Sequence, residues 1–438
     1  MPTESEAAVA APANKIGATS IYASATLWLL MLVAMMNFLD RQVVYILAEP
    51  IKRDLHLTDA QIGMMTGLVF AVFYTLLGIP IARLTDRPAT NRVSLVAGCL
   101  ALWSTMTAFC GLGQTFGHLL AARIGVGVGE AGCTPAAHSL ISDSYPVEER
   151  PAAMAFYGLG LPLGILVGMS LGGGIAEAFG WRTAFLALGV PGILLATIVY
   201  FVVPEPRRRA PKMEPRGPRI QDQSPSLRIV LREIFNSRAF VLLVAAVATS
   251  AFLAFGRGAW HAVFFMRSHG LGPGVAGLTL GLIGGLGTGV GTWAGGALAS
   301  RFGSVDRRHM VTAPAIGFLL AMPFSLAAYT VGDWRLAAVL LLAGAVSNGL
   351  GYGPIFTCVQ GLVSPGSRGT ATAVFLLIEN LLGLGLGPLV FGALSDEIRP
   401  WAGQDSVRYV LFMSILLAPI PALCLWRAGR HLNRELRA

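Results

Sequence analysis

"VPEPRRRAPKMEPRGPRIQDQSPSLRIVLREIFNSR", residues 203–238, is the most polar long stretch of a chain that is otherwise apolar: of 438 residues, 54% are hydrophobic and 13% charged. On both sides of it, runs of ~20 apolar residues recur, the length of helix that crosses a hydrocarbon core of about 30 Å. A water-soluble fold needs far more charged surface. The stretch therefore divides a polytopic membrane chain. Counting outward gives spanning helices near 23–47, 60–82, 92–112, 117–140, 152–176 and 183–203 before it, and near 239–266, 274–299, 309–330, 335–361, 369–394 and 407–427 after it. The expectation is an all-α integral membrane protein with twelve transmembrane helices in two pseudo-symmetric six-helix bundles. The first half covers 23–203 and the second 239–427, with a cytoplasmic linker at 204–238 and tails at 1–22 and 428–438. Within the linker the Pro- and Arg-rich part reads as unstructured. "SLRIVLREIF" carries apolar residues at helical spacing, as an amphipathic helix on the membrane surface would.

A formal net charge of +9 could suggest nucleic acid, but the placement of the cations explains it differently. Alternate connections carry 22 Lys and Arg on the side of the two termini and the linker and 7 on the other, with Arg41, Arg123 and Arg257 inside helices. The positive-inside rule puts both termini and the linker in the cytoplasm, in the setting of a bacterial inner membrane. No nucleic-acid partner is needed. The N-terminal "MPTESEAAVAAPANKIGATS" is polar, and the apolar run after it is too long for a signal peptide. Cys99, Cys110, Cys133, Cys358 and Cys424 lie in apolar segments without C-x-x-C spacing, so neither a disulfide framework nor a metal site is expected.

The halves echo each other. "GIPIARLTDRPATNR" after the second helix has a counterpart in "GGALASRFGSVDRR" after the eighth. "YPVEERPAAMAFYGLGLPLGILVGMSLGGGI" parallels "VSPGSRGTATAVFLLIENLLGLGLGPLVFGAL", with Arg150 and Arg368 each opening a glycine-rich helix. Gly158, Gly160, Gly164, Gly168 and Gly172 recur along the fifth helix and Gly383, Gly385, Gly387 and Gly392 along the eleventh. Small residues at this spacing let helices approach closely, either as static packing or where helices slide.

Ionisable groups at membrane depth cost roughly 2.5–3.5 kcal/mol each on insertion scales, so the few present are site candidates. They are Asp40, Arg41, Arg123, Glu130, Arg257, His261 and Glu379, with Asn37, Asn348 and Asn380 as polar neighbours. Arg123 and Glu130 are seven residues apart, hence on one helix face about 10 Å apart along the axis. Asp40 and Arg41 are adjacent and point apart, so each needs a partner elsewhere. The economical arrangement pairs the first helix with the fourth: Asp40 near Arg123, or Arg41 near Glu130. Such carboxyls suit proton uptake and release; a fixed interhelical ion pair is the alternative. Arg257 and His261, one turn apart, could meet an anionic head group, while Trp260, Phe264 and Phe265 line an apolar cavity or face lipid. The lysines are Lys15, Lys52 and Lys212, and none completes a phosphate loop. Cys133, His138, Ser139 and Asp143 have no spacing diagnostic of a nucleophile and base. No enzyme and no cofactor is expected.

"GIPIARLTDRPATNR" resembles the loop between the second and third helices of the major facilitator superfamily, matching at Gly78, Asp86, Arg87 and Arg92. The resemblance implies a gating role for these residues and for Arg150, with Asp86 latching the outward-open state against a helix end of the other half. The second copy keeps Gly291, Gly295 and Arg301 but has Ser300 in place of the acid. "NFLDR", "RIGVGVGEAGCTPAAHSLISD" and "FGWRTAFLALGVPGIL" are similar to spinster-like transporters. That similarity implies Asp40 and Glu130 in proton coupling and Arg41 and Arg123 on the substrate or coupling path. The polar residues at membrane depth, Asn37, Arg257, His261, Glu379 and Asn380, are the further candidates for substrate binding. The implied cargo is an amphipathic lipid-like or organic anion, moved by alternating access in a monomer embedded in the bilayer. A sugar-acid symporter or a multidrug efflux protein of the same fold is the competing reading.

Overall fold

The computed structural model describes residues 21–87, 89–206, 227–303, 309–350 and 352–435. The first part of the N-terminal tail, the Pro- and Arg-rich part of the linker, and the end of the second copy of the loop motif (304–308) lie outside the described residues. The described chain is helical, and twelve rods can be followed in it. In the first half they are α1 (Ile21–Leu55), α2 (Asp59–Gly63, a π turn at Met64–Leu68, then Val69–Asp86) and α3 (Arg92–Cys110). α4 (Phe116–Glu130 and Cys133–Ser144), α5 (Arg150–Gly158 and Gly160–Phe179) and α6 (Trp181–Val202) complete it. The second half contains α7 (Arg238–Ser268), α8 (Pro273–Gly303), α9 (His309–Thr330) and α10 (Trp334–Gly349 and Tyr352–Gly361). α11 (Arg368–Ile378, a π segment at Glu379–Leu386, then Gly387–Ala402) and α12 (Ser406–Met413 and Pro419–Glu435) close it.

Nine continuous stretches among the described residues are long and apolar enough to cross a membrane. The last of them, Arg368–Leu432, holds both α11 and α12, and α4 and α10 are broken into shorter pieces, which reconciles nine with twelve. Polar residues start the rods. Asn91, Thr115 and Ser237 accept from the backbone N–H three residues on, as N-caps do. α1 runs past its expected end near 47 to Leu55, because the charges in its last turns are held by protein partners and the helix need not stop where the apolar run does. Large apolar side chains such as Leu76, Leu194, Phe201, Trp293 and Leu416 are exposed at the rod surfaces, which suits a lipid surround.

Packing repeats between the halves. Within the first, α1 lies on α5 and α3 on α6; within the second, α7 lies on α11 and α9 on α12. The halves meet along two seams related in the same way, α2 against α11 and α5 against α8. Glycine sets the spacing of both. A Cβ on Gly173 would run into the Pro273 carbonyl, and one on Gly63 into the Pro388 carbonyl. The stripe of Gly160, Gly164, Gly168 and Gly172 faces α1 of the same half, so it binds a rigid bundle together; Gly158 faces open space. Likewise Gly383 and Gly387 face α7, whereas Gly385 and Gly392 face α2 across the interface.

The amphipathic stretch of the linker forms a helix, Leu227–Asn236, that buries Val230 and Ile234 against the second half. Its Glu233 accepts from Ser364 N (2.7 Å) and Ser367 Oγ (2.7 Å) at the start of α11. The Ser367 hydroxyl, then the donors of Ser364, hold this carboxyl below its usual range. A depressed folded-state pKa contributes stability above the unfolded value that is lost as pH falls through the folded one. Amide-exchange protection of 227–236, corrected for the intrinsic pH dependence, should therefore hold down to about pH 4.3 and fall below it. Glu233→Gln should lower it above that pH and match the parent once the carboxyl is protonated. Protection that ignores both changes would show that Glu233 does not dock this helix.

Candidate functional site

Midway along α1, the side chains of Asp40 and Arg41 leave the rod in different directions. Arg41 reaches α4, where its Nε and Nη2 donate to Glu130 Oε2, each at 2.8 Å. Both groups are nearly sealed, at 13% and 0% side-chain exposure, so the pair is interior rather than a surface ornament. The Arg41 guanidinium also lies 4.9 Å from the Phe70 ring centre and 4.8 Å from that of Tyr74. Arg123 approaches the same Phe70 ring at 5.1 Å. Phe70 of α2 thus separates two cations that would otherwise repel, a cation–π arrangement on both sides. Asn37, also buried, lies beside Glu130.

Asp40 points the other way, into the first bundle. It is wholly buried, and neither of its oxygens makes a hydrogen bond. Trp103 and Thr107 of α3 and Arg123 of α4 surround it, yet Trp103 Nε1, Thr107 Oγ1 and Arg123 Nε also lack partners. Of the two pairings the sequence allows, then, Arg41 with Glu130 closes as an ion pair, while Asp40 and Arg123 are near but do not bond. Buried polar groups are almost always satisfied, so three orphans around one unpartnered carboxyl mark an arrangement that is not fixed by its own bonds.

The second-half candidates sit elsewhere. Arg257 donates from Nε to Ser414 Oγ (2.9 Å) and from Nη2 to Ser414 O (3.1 Å), in the 3₁₀ turn that joins the two pieces of α12. His261 Nε2 meets Tyr329 Oη of α9 at 2.8 Å. Both therefore point into the second bundle, and the described contacts do not join them to the α1–α4 cluster. Trp260, Phe264 and Phe265 are all buried, with Trp260 Nε1 donating to Pro388 O at 2.9 Å. Glu379 and Asn380 open the π segment of α11, where Glu379 Oε2 is buried without a partner. This segment packs against the π turn of α2 across the interface. Such bulges often mark functional positions, and helical periodicity alone gives no sign of them. Asn348 bonds back to Gly344 O within α10.

Of the gating candidates, the side chain of Asp86 lies outside the described residues, as does that of Ser300. Arg87 is exposed, and Gly78 lies within α2 near Ala131 of α4. Arg92 is fully buried and binds Glu205, Asp143 and Ser139, tying the ends of α4 and α6 to the start of α3 inside the first half. Arg150 donates to Tyr145 O at 3.0 Å across the turn before α5.

A polar junction between the halves lies at the opposite end of the bundle, away from the termini. Arg267, at the end of α7, donates to Glu49 of α1 and Asp59 of α2, each at 2.7 Å. Lys52 also pairs with Asp59, and Ser395 of α11 donates to it at 2.7 Å. Asp396 of α11 accepts from Asp59 N (2.9 Å) and Ala60 N (2.7 Å), capping the first turn of α2 from the other half. In the sequence, Lys52 and Arg267 count only as loop cations for topology, and "TDAQIG" shows a helix start, realised as the Thr58 capping box. Nothing local states that the cap comes from 337 residues away.

Two six-helix bundles meeting along paired seams, with a buried charge cluster at mid-depth and a polar junction at one end, are the construction of a membrane transporter rather than an enzyme. The chain belongs to the major facilitator superfamily, which residues 30–388 match, and within it to the spinster-like transporters. An MFS-type efflux pump of Mycolicibacterium smegmatis is 33% identical over 414 residues, 94% of each chain. Protein spinster homolog 1 of Homo sapiens is 26% identical over 413 residues, 89% of this chain and 76% of that one. Among solved structures, a bacterial homologue of the human lysosomal transporter spinster, in an inward-facing and unoccupied conformation, superposes with a TM-score of 0.85. It is 30% identical, with 95% of this chain and 99% of that chain covered. The protein is an integral, multi-pass membrane protein that handles small substrates.

Proposed function

We propose that the protein is a proton-coupled secondary transporter that moves an amphipathic, lipid-like or related organic anion by alternating access. One observation carries this reading: Arg41 is held by Glu130, while Asp40, one residue away, is buried with no bond of its own. A cargo anion that draws Arg41 or Arg123 away, or a proton on Glu130 that releases Arg41, changes what both carboxyls feel, which couples occupancy to protonation. Asp40 and Glu130 are the proposed proton carriers. Arg41, Arg123 and Asn37 are proposed to contact cargo, with Arg257, His261, Glu379 and Asn380 contributing from the second half. Asp86, Arg87, Arg92, Gly78 and Arg150 are proposed to serve the gate at the end of the termini. The junction around Arg267 closes the other end, so the conformation described is one that opens toward the termini. With both termini cytoplasmic in a bacterial inner membrane, that is the inward-facing state of a single working chain. The likeness to spinster homologues supports a lipid-like cargo.

The test is flux in liposomes under imposed pH gradients, combined with a binding screen of lysolipids and sphingoid phosphates against sugar acids. Gradient-dependent flux of a lysolipid or sphingoid phosphate is the expected result. Flux indifferent to the gradient removes the coupling, and stabilisation by small hydrophilic anions alone replaces the lipid cargo with a sugar-acid type. The efflux-pump relative favours a second reading, export of varied apolar compounds. That reading predicts expulsion of several unrelated dyes by the wild-type chain.

A further inference from the structure

Beside the Arg267 junction, at the end away from the termini, lies a cavity of about 590 Å³ whose walls belong to both halves. Lys52 and Arg53 enter it from the last turn of α1, Arg399 from the last turn of α11, and Gln404 from the turn between α11 and α12. His56, with φ of 51°, ends α1 in the left-handed region, and Leu57 N donates to Lys52 O at 3.1 Å. That closed turn holds the two cations of α1 toward the second half. Glu49 is the acid of this wall, and both its oxygens are already engaged, Oε1 by Arg53 and Oε2 by Arg267. Lys52 is turned to Asp59, and Arg399 stands close enough to Lys52 for the two cations to repel. Arg53 is 67% exposed, which leaves the remainder of its fork open to the cavity. The walls therefore offer cations from two sides of the interface, and their one carboxylate, Glu49, is already engaged.

We propose that this cavity is a binding site for a phosphate-class oxyanion, which bridges Arg53 and Lys52 of the first half to Arg399 and Gln404 of the second. Guanidinium forks suit an oxyanion's paired acceptors. Once bound, the anion also relieves the repulsion between Lys52 and Arg399. These donors converge only while this end is closed, so the anion binds that state preferentially and holds the end shut. This last clause rests on the alternating-access reading; binding itself does not. The oxyanion is either free phosphate or the phosphate of a lipid head group in the adjoining leaflet.

Two arms separate the sources. In neutral detergent, inorganic phosphate is titrated against chloride at equal ionic strength, and amide exchange is followed at Asp59 and Ala60, the residues capped across the interface. In nanodiscs without free phosphate, a zwitterionic bilayer is compared with one containing an anionic phospholipid. Slower exchange in the first arm assigns the free anion, and in the second arm alone the head group. Arg399→Gln should weaken phosphate binding about tenfold, as loss of a charge-assisted contact does, while Arg335→Gln at the start of α10 should not. The proposal is overturned if neither arm slows exchange, or if Arg53→Gln and Arg399→Gln both leave the effect intact. Phosphate binding that does not slow exchange at Asp59 and Ala60 overturns the bridge. No cargo flux enters either arm, so failure of the transport reading would leave these results standing.

Discussion

Arg267→Gln should spring open the end of the molecule away from the termini. In the closed arrangement Arg267 is 1% exposed and answers two acids, Glu49 at 6% and Asp59 at 0%. Glutamine leaves Glu49 with the exposed Arg53 alone, and Asp59 with Lys52 and the Ser395 hydroxyl. Removing one member of a buried ion pair costs about 3–5 kcal/mol, chiefly because the remaining charge stays buried without compensation. When the halves part at this end, water reaches both acids and that penalty disappears. The substitution therefore weighs on the closed state and not on the open one, and the balance between them should shift by roughly two to four powers of ten. Spin labels at Leu112→Cys in the first half and Gln404→Cys in the second read this directly. A longer distance population that is absent in the Arg267 parent is the expected result, with Arg267→Lys intermediate because it keeps the charge and loses the fork. An unchanged distance distribution would mean that the glycine seams and the Ser395 and Asp396 contacts hold this end shut without Arg267.

Much of this architecture is legible in the sequence because lipid makes periodicity and length informative at once. A run of ~20 apolar residues is a spanning helix with few competing explanations, and a polar stretch such as 203–238 is a division between bundles. The pairing of α1 with α4 is legible for a related reason. Charge at membrane depth is costly, so Asp40, Arg41, Arg123 and Glu130 have few permissible partners. Which pairing closes is not legible, because it depends on Phe70 from α2 occupying the space between two guanidinium groups. The Arg267 junction is illegible for the opposite reason. Glu49, Lys52, Asp59 and Asp396 sit at helix ends where charge is cheap in sequence terms, and only the approach of the two halves buries them. The π segments of α2 and α11 escape notice as well, since a single wide turn leaves the apolar pattern almost unaltered.

Asp40→Asn and Glu130→Gln should part company, and their difference separates a proton carrier from a structural bond. Glu130→Gln removes the carboxylate that answers Arg41, a cation at 13% exposure, and leaves Phe70, Tyr74 and an amide oxygen in its place. A destabilisation of about 3–5 kcal/mol is expected in denaturant or thermal unfolding of the purified protein, with transport lost as a consequence. Asp40→Asn takes away no hydrogen bond and no ion pair, since both oxygens of Asp40 lack partners. The amide has nearly the same shape as the acid, so its stability should stay within about 0.5 kcal/mol of the parent or rise. Its transport should nevertheless lose dependence on the pH gradient, because an amide cannot take up a proton at that position. Exchange of labelled cargo without a gradient should survive in Asp40→Asn, as it needs the site and the moving halves but no net proton transfer. If instead Asp40→Asn is as unstable as Glu130→Gln, Asp40 is one end of a structural bond that closes in membranes. If both variants keep gradient-driven uptake, the proton crosses through neither carboxyl, and Glu379, with its own unpartnered Oε2 on the α11 π segment, becomes the group to test.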